Sequence, residues 1–239
     1  MLRMREESFR YLSSFVRPVR FAAGNTLWGV GSCVLVTLNG QFYGVTARHV
    51  IGNQGADFQD TRILMPDTSV SLPMLGHFCP KSEMLESWHL DIVVYKIDAE
   101  SYFDFTGQRL PAMNLGEHFY PAKHFPMEAF AVCGYPATDD RYDYDRKKLV
   151  DHLLIKTGRI SASEFGEPIF KLESSASEYP FNGMSGSPVF GVLSAIRRVM
   201  LVGLVVRGTE SSGIFHFIDF TVVLSSILQH QGDQLQTSS

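Results

Sequence analysis

The sequence predicts an all-β fold, built as barrels or as a sandwich, and three observations predict it. Short apolar runs recur along most of the 239 residues, with Gly, Pro, Asn and Asp between them, which is the pattern of antiparallel β proteins. Asn39-Gly40 separates two such runs. Asn-Gly in that setting is the strongest short-range hairpin signal, because both residues accept the positive φ that a tight turn needs. Helical periodicity is confined to the two ends of the chain.

At the start, Phe9, Leu12, Phe15 and Val16 recur at helical spacing, predicting a short amphipathic helix over 5–16 that packs on the body. Pro18 ends it. Strands are predicted over 29–38, 41–46, 62–65, 70–75 and 91–97, then over 129–133, 149–157, 168–173, 188–192, 199–206 and 213–218. A break at Tyr120-Pro121-Ala122-Lys123 falls between the two groups and marks a join between two lobes. Residues 137–148, dense in charge and tyrosine, read as a surface loop, and 221–230 as a closing helix. The expected organisation is an N-terminal arm (1–24), a first lobe (25–122), a second lobe with the closing helix (123–230) and a mobile tail (231–239), with no internal repeat.

Composition narrows the function. Hydrophobic residues make up 45% and charged residues 19% of the chain, and the net charge is −4. That is ordinary for a folded enzyme or binding module and points to neither nucleic acid nor an anionic membrane as partner. No apolar run is long enough to span a bilayer. The first residues carry acids early and lack an apolar centre, so no secretory signal is read there. The three cysteines, Cys33, Cys79 and Cys133, are too few and too scattered for a disulfide framework or a metal site. A reducing, cytoplasmic compartment is the expectation.

Chemistry concentrates in three segments. Gly183-Met184-Ser185-Gly186-Ser187-Pro188 lies between two β runs. Its glycines permit backbone angles and close approaches that lift one hydroxyl out of the chain. Upstream stand Val45-Thr46-Ala47-Arg48-His49-Val50 and His89-Leu90-Asp91-Ile92-Val93-Val94-Tyr95. A serine hydroxyl is a poor nucleophile near neutral pH and needs a base within hydrogen-bond reach. An imidazole can hold or release a proton there, and a carboxylate behind it would fix its tautomer. His49 alone among the eight histidines follows a β run and a Thr-Ala turn. Asp57, Asp60, Asp67 and Asp98 compete with Asp91, but Asp91 directly precedes an apolar run that would hold it beside the core. Ser187 competes with Ser185, which the flanking glycines favour. No His-Glu-x-x-His stretch supports metal hydrolysis, and the order His, Asp, Ser with serine at 187 is not that of an α/β-hydrolase.

Thr-Ala-x-His-Val, Asp-Ile-Val-Val and Gly-x-Ser-Gly-x-Pro, 42 residues (49 to 91) and 94 residues (91 to 185) apart, resemble the motifs of trypsin-like, chymotrypsin-fold serine proteases. Gly31-Ser32, Cys133-Gly134-Tyr135-Pro136 and Thr157-Gly158-Arg159-Ile160-Ser161 resemble bacterial members, HtrA-like proteases without the appended peptide-binding domain in particular. The resemblance covers roughly 25–225. It implies two six-stranded antiparallel β-barrels, with His49, Asp91 and Ser185 in the cleft between them. It implies the amides of Gly183 and Ser185 as an oxyanion hole, a serine endopeptidase activity without cofactor or metal, and a protein or peptide substrate. It further places the substrate pocket near Tyr179, Val206, Arg207, Gly208 and Gly213. An aromatic base would favour small or medium apolar side chains, Arg207 an acidic one.

Two departures stand out. The residue after His49 is Val50, so the bridge that many secreted relatives carry there cannot form. Met184 stands where many relatives have an acid that pairs with a new N-terminus, so that switch is absent and the serine loop must be preorganised or ordered by a substrate or a regulatory protein. The competing expectation is a catalytically silent module of the same fold that binds or senses proteins.

Overall fold

The computed structural model describes residues 6–52, 55–66, 68–80, 91–124, 129–137, 142–143, 148–149, 151–193 and 198–237. His89, Leu90, Asp67 and most of the charged loop at 137–148 lie outside them.

The chain opens with helix α1 (Glu6–Ser13), shorter than the periodicity predicts. Val16, counted in that helical pattern, begins strand β1 (Val16–Ala23) instead. β1 pairs with β2 (Thr26–Leu38), and β2 with β3 (Gln41–Thr46). The β2–β3 turn has Asn39 at φ 51° and Gly40 at φ 77°, two positive angles in succession, as the Asn-Gly signal requires. A one-turn helix α2 (His49–Gly52) follows. Then come β4 (Thr61–Ile63), β5 (Met74–Phe78) and β6 (Val93–Ile97), helix α3 (Ala99–Thr106), the two-residue β7 (Met113–Asn114) and α4 (Leu115–His118).

These strands form one sheet in the order β4-β1-β2-β3-β6-β5, with β7 parallel to β2 off that path. The expected first barrel is therefore a half-barrel. Between its edges β4 and β5, among the described residues, the chain pairs only through an isolated Leu64–Ser71 bridge and its neighbours. β4 has three residues, and Pro66 and Pro73 flank the bridge without amide hydrogens to extend a ladder.

β1 corrects the expected arm at 1–24: residues 16–23 lie inside the sheet, between β2 and β4. Arg17, Pro18 and Arg20 hide the strand in the sequence, yet both arginines are buried. Arg20 pairs with Asp151 at 2.7 Å, 131 residues away in the second lobe.

The second lobe contains β8 (Phe130–Gly134), a small ladder of β9 (Tyr142–Asp143) with β10 (Lys148–Leu149), then β11 (Leu154–Ala162), β12 (Ile169–Ser174), β13 (Pro188–Leu193), β14 (Arg198–Thr209) and β15 (Ile214–Asp219). Six of them close a barrel, β11-β12-β15-β14-β13-β8. Helix α5 (Phe220–Thr237) closes the chain. Phe220, Val223 and Ile227 are buried on one of its faces, the spacing of an amphipathic helix. Asp219 ties its start to the interlobe segment, accepting from Ala122 N–H and from the Thr221 amide and hydroxyl, each at 2.8 Å.

α5 also corrects the mobile tail expected at 231–239, because the helix continues to Thr237. Gln231 holds it on the first lobe: its Nε2 donates to Tyr43 Oη at 2.9 Å, and its Oε1 accepts from Asn39 Nδ2 at 3.0 Å. A contact that joins positions about two hundred residues apart leaves no trace in the local composition of the tail.

All three cysteines are free. Burial pushes the Cys33 thiol up to about 12 and raises those of Cys133 and Cys79, which keeps them protonated and inert near neutral pH. We expect N-ethylmaleimide at about pH 8 to modify at most Cys79, the half-buried one, in the folded protein, and all three thiols after unfolding, counted by intact-mass spectrometry.

Candidate active site

His49 is the first residue of α2, one turn beyond the end of β3. Asp91, just before β6, holds that turn three ways. Its carbonyl accepts from the Arg48 amide at 3.2 Å and its Oδ1 from the His49 amide at 2.7 Å. Its Oδ2 meets the His49 ring at Nδ1, at 2.5 Å. A carboxylate only accepts, so this contact places the ring proton on Nδ1 and leaves a lone pair on Nε2. Nε2 lies 2.8 Å from Ser185 Oγ and accepts the hydroxyl proton. The His49 and Asp91 side chains are 28% and 20% exposed, so the line of three groups is shielded but reachable. The other aspartates have other uses. Asp98 caps α3, accepting from the Ser101 amide (3.0 Å) and hydroxyl (2.7 Å), which hold its carboxyl below the ordinary range. Asp60 turns back on the Asp57 amide.

Ser185 stands on a loop whose shape its glycines determine. Gly183 and Gly186 have φ of +89° and +84°, in the region that L side chains avoid. A Cβ on Gly186 would collide with Ser32 O and Thr46 Oγ1, and one on Gly183 would lie 2.6 Å from Tyr135 O. The loop is laced by Met184 N–H to Phe181 O (3.0 Å), Ser187 N–H to Met184 O (3.0 Å) and Gly186 N–H to Val205 O (2.8 Å). Met184 is fully buried in the core of the second lobe and pins the loop by packing.

Sequence reasoning missed Ser32 as a supporting residue. Buried in β2, it donates its N–H to Ser185 O (3.0 Å) and its hydroxyl to Gly183 O (2.9 Å). Its Oγ accepts from Tyr135 N–H (2.8 Å), and its carbonyl accepts from Thr46 Oγ1 (2.6 Å). Its signals were its place in Gly31-Ser32, one of the segments that carry the resemblance, and its small size in a run otherwise rich in valine. With these bonds made, the Gly183 and Ser185 amides have no acceptor among the described residues. Their directions follow from the trans peptide, in which N–H points opposite to C=O. The Asn182 carbonyl is taken by Ala137 N–H (2.6 Å) and that of Met184 by Ser187 N–H, so the two amides face away from the loop's internal bonds.

The pocket residues divide. Val205 N–H donates to Ser187 O at 2.8 Å, which brings Val206, Arg207 and Gly208 along the serine loop. Val206 packs against the first lobe's core and against the apolar cluster that spans the two lobes, and Arg207 is exposed. Gly213 is buried at φ +69° in the turn between β14 and β15. Tyr179 is not the base of a pocket: it is 56% exposed, and Phe181, two residues on, takes the inward position at 3%. His216 is held by Glu164 at 3.2 Å. Among the described residues no group of three or more His, Cys, Asp or Glu is placed to hold a metal ion.

Ser32→Ala leaves the Gly183 carbonyl and the Tyr135 amide without their partner in a buried seam. An unpaired buried group costs about 1–3 kcal/mol, so we expect a loss of that order for each of the two, read as a lower midpoint in chemical denaturation.

No family model and no curated protein matches the sequence. Solved structures do match the fold. The thermostable serine protease AL20 from an extremophilic microorganism is 14% identical with a TM-score of 0.59, over 90% of this chain and 96% of its own. The protease Anisep from Arthrobacter nicotinovorans is 14% identical with a TM-score of 0.59, over 89% of this chain and 93% of its own. The chain has the chymotrypsin-like fold of these serine proteases.

Proposed function

We propose that the chain is a serine endopeptidase, with His49, Asp91 and Ser185 as its catalytic residues. The observation that carries this reading is the unbroken line from Asp91 Oδ2 to His49 Nδ1 (2.5 Å) and from His49 Nε2 to Ser185 Oγ (2.8 Å). A binding module has no need of that alignment.

In the proposed reaction Ser185 Oγ attacks the carbonyl carbon of a peptide bond while His49 Nε2 takes the hydroxyl proton. The carbonyl oxygen becomes an anion held by the amides of Gly183 and Ser185, and Asp91 stays ionised and stabilises the imidazolium. Collapse of the intermediate breaks the C–N bond, and the departing amine takes the proton from Nε2. Water then attacks the ester on Ser185, giving its proton to His49, and the carboxylate product leaves as Oγ regains that proton. The chain supplies every group in this cycle. The fully buried Met184 and the seam at Ser32 support a loop set in place before substrate arrives.

A fluorophosphonate probe tests the assignment. We expect covalent labelling of the wild type at Ser185 and none of Ser185→Ala, whose turnover of a casein or peptide-library substrate falls on the order of 10⁶-fold with unchanged circular dichroism. Asp91→Asn, which keeps the shape but permits the wrong tautomer, should lose on the order of 10⁴ in kcat. A folded wild type that takes no label would leave the binding-module reading in its place.

A further inference from the structure

Two stretches of chain bound the space beside Ser185. One is the loop through Tyr179–Gly183. The other is β14 beyond Val205, that is Val206, Arg207 and Gly208. Gly186 N–H to Val205 O and Val205 N–H to Ser187 O, both 2.8 Å, lock them together at the serine end. Three residues along β14 from Val205 stands Gly208, paired in register with Phe215 on β15.

That space holds Phe181. Its ring stacks on Phe215 with centroids 4.1 Å apart and planes 23° from parallel. A Cβ built on Gly208 would stand 3.1 Å from Phe181 Cδ2, 3.1 Å from Phe215 Cδ1 and 3.2 Å from Phe181 Cβ. Glycine at 208 therefore serves to seat the ring, and its missing side chain opens no channel. The ring is held by its backbone as well: Phe181 O accepts from Met184 N–H at 3.0 Å, and Phe181 N–H reaches Glu210 Oε2 at 3.4 Å. Around it, Met184, Val205, Phe215 and Phe217 form one buried cluster. Forcing a second large group into a packed aromatic cluster means off-rotamer side chains or a shifted backbone.

Resting on the peptidase reading above, we propose that Phe181 is the specificity-determining residue: its ring fills the side-chain pocket beside Ser185, so the residue that contributes the attacked carbonyl must be small, Gly, Ala or Ser.

The test is cleavage of a peptide library by wild type, Phe181→Ala and Phe181→Leu, with cut positions read by mass spectrometry and each protein checked with the fluorophosphonate probe, which needs no side chain in the pocket. We expect the wild type to cut after small residues. Phe181→Ala should raise kcat/KM for Leu or Phe before the bond, relative to Ala, by about tenfold or more, since one methylene in such a pocket is already worth about that factor. Phe181→Leu, which keeps an apolar group in the cluster, should fall between and decides the matter if the alanine variant does not fold. A wild type that takes the label yet cuts mainly after Leu, Phe, Arg or Lys overturns the role of Phe181 and leaves the peptidase reading standing. The same holds if labelled variants keep the wild-type preference. A folded wild type that takes no label overturns the peptidase reading instead.

Discussion

The hydrogen-bonded seam at Ser32 is the contact on which the site depends. His49 and Asp91 belong to the first lobe and Ser185 to the second, so the distance between base and hydroxyl is a distance between two lobes. Ser32 measures it out with one residue, engaging Ser185 O, Gly183 O, Tyr135 N and Thr46 Oγ1 by all of its polar atoms. In a dry interior each unmade bond would be costly, so alternatives in which the lobes slide past one another are disfavoured together. On the proposed peptidase reading that precision matters, because a misplacement of about 1 Å can cost on the order of 10² in rate. The Arg20–Asp151 pair and the Gln231 contacts of α5 tie the same lobes together at other places.

Among the described residues the serine loop is shaped by packing and backbone angles, with no ion pair made by the loop itself. Met184 and Phe181 bury their side chains on the second lobe's core, and the two glycines turn the chain where side chains would collide. A loop anchored by apolar contacts keeps its shape without a charge partner. The same contacts bring the Phe181 ring against Gly208 and Phe215, and on the proposed reading the packing that shapes the loop also bears on which side chains can lie beside it.

The two lobes are built unequally. The second closes into a barrel, while the first is a half-barrel with β4 and β5 at its edges. The end of α5 meets the first lobe at the β2–β3 hairpin, through Asn39 and Tyr43. Asp219 uses both carboxylate oxygens to join the start of that helix to the interlobe segment at Ala122. One buried carboxylate thus connects the end of the second barrel to the linker that enters it.

Local order carried much of this into the sequence. The hairpin at Asn39-Gly40, the run that ends before His49, the apolar stretch after Asp91 and the Gly-x-Ser-Gly loop are all set by near neighbours, through turn propensity, strand alternation and the φ that only glycine takes freely. The groups that the tertiary structure alone decided act across long separations. β1 reads as an arm until Arg20 finds Asp151; Gln231 reads as tail until the β2–β3 hairpin meets it; Ser32 is an ordinary small residue until Ser185 and Gly183, more than 150 positions away, lie against it. Tyr179 and Phe181 are both aromatic and two residues apart, and nothing in the chain says which turns inward. The loop's bonds to Met184 and Ala137, and the gap at Gly208, seat Phe181 and leave Tyr179 in solvent. Composition and spacing encode what each residue can do; which residues meet is decided only when the whole chain packs.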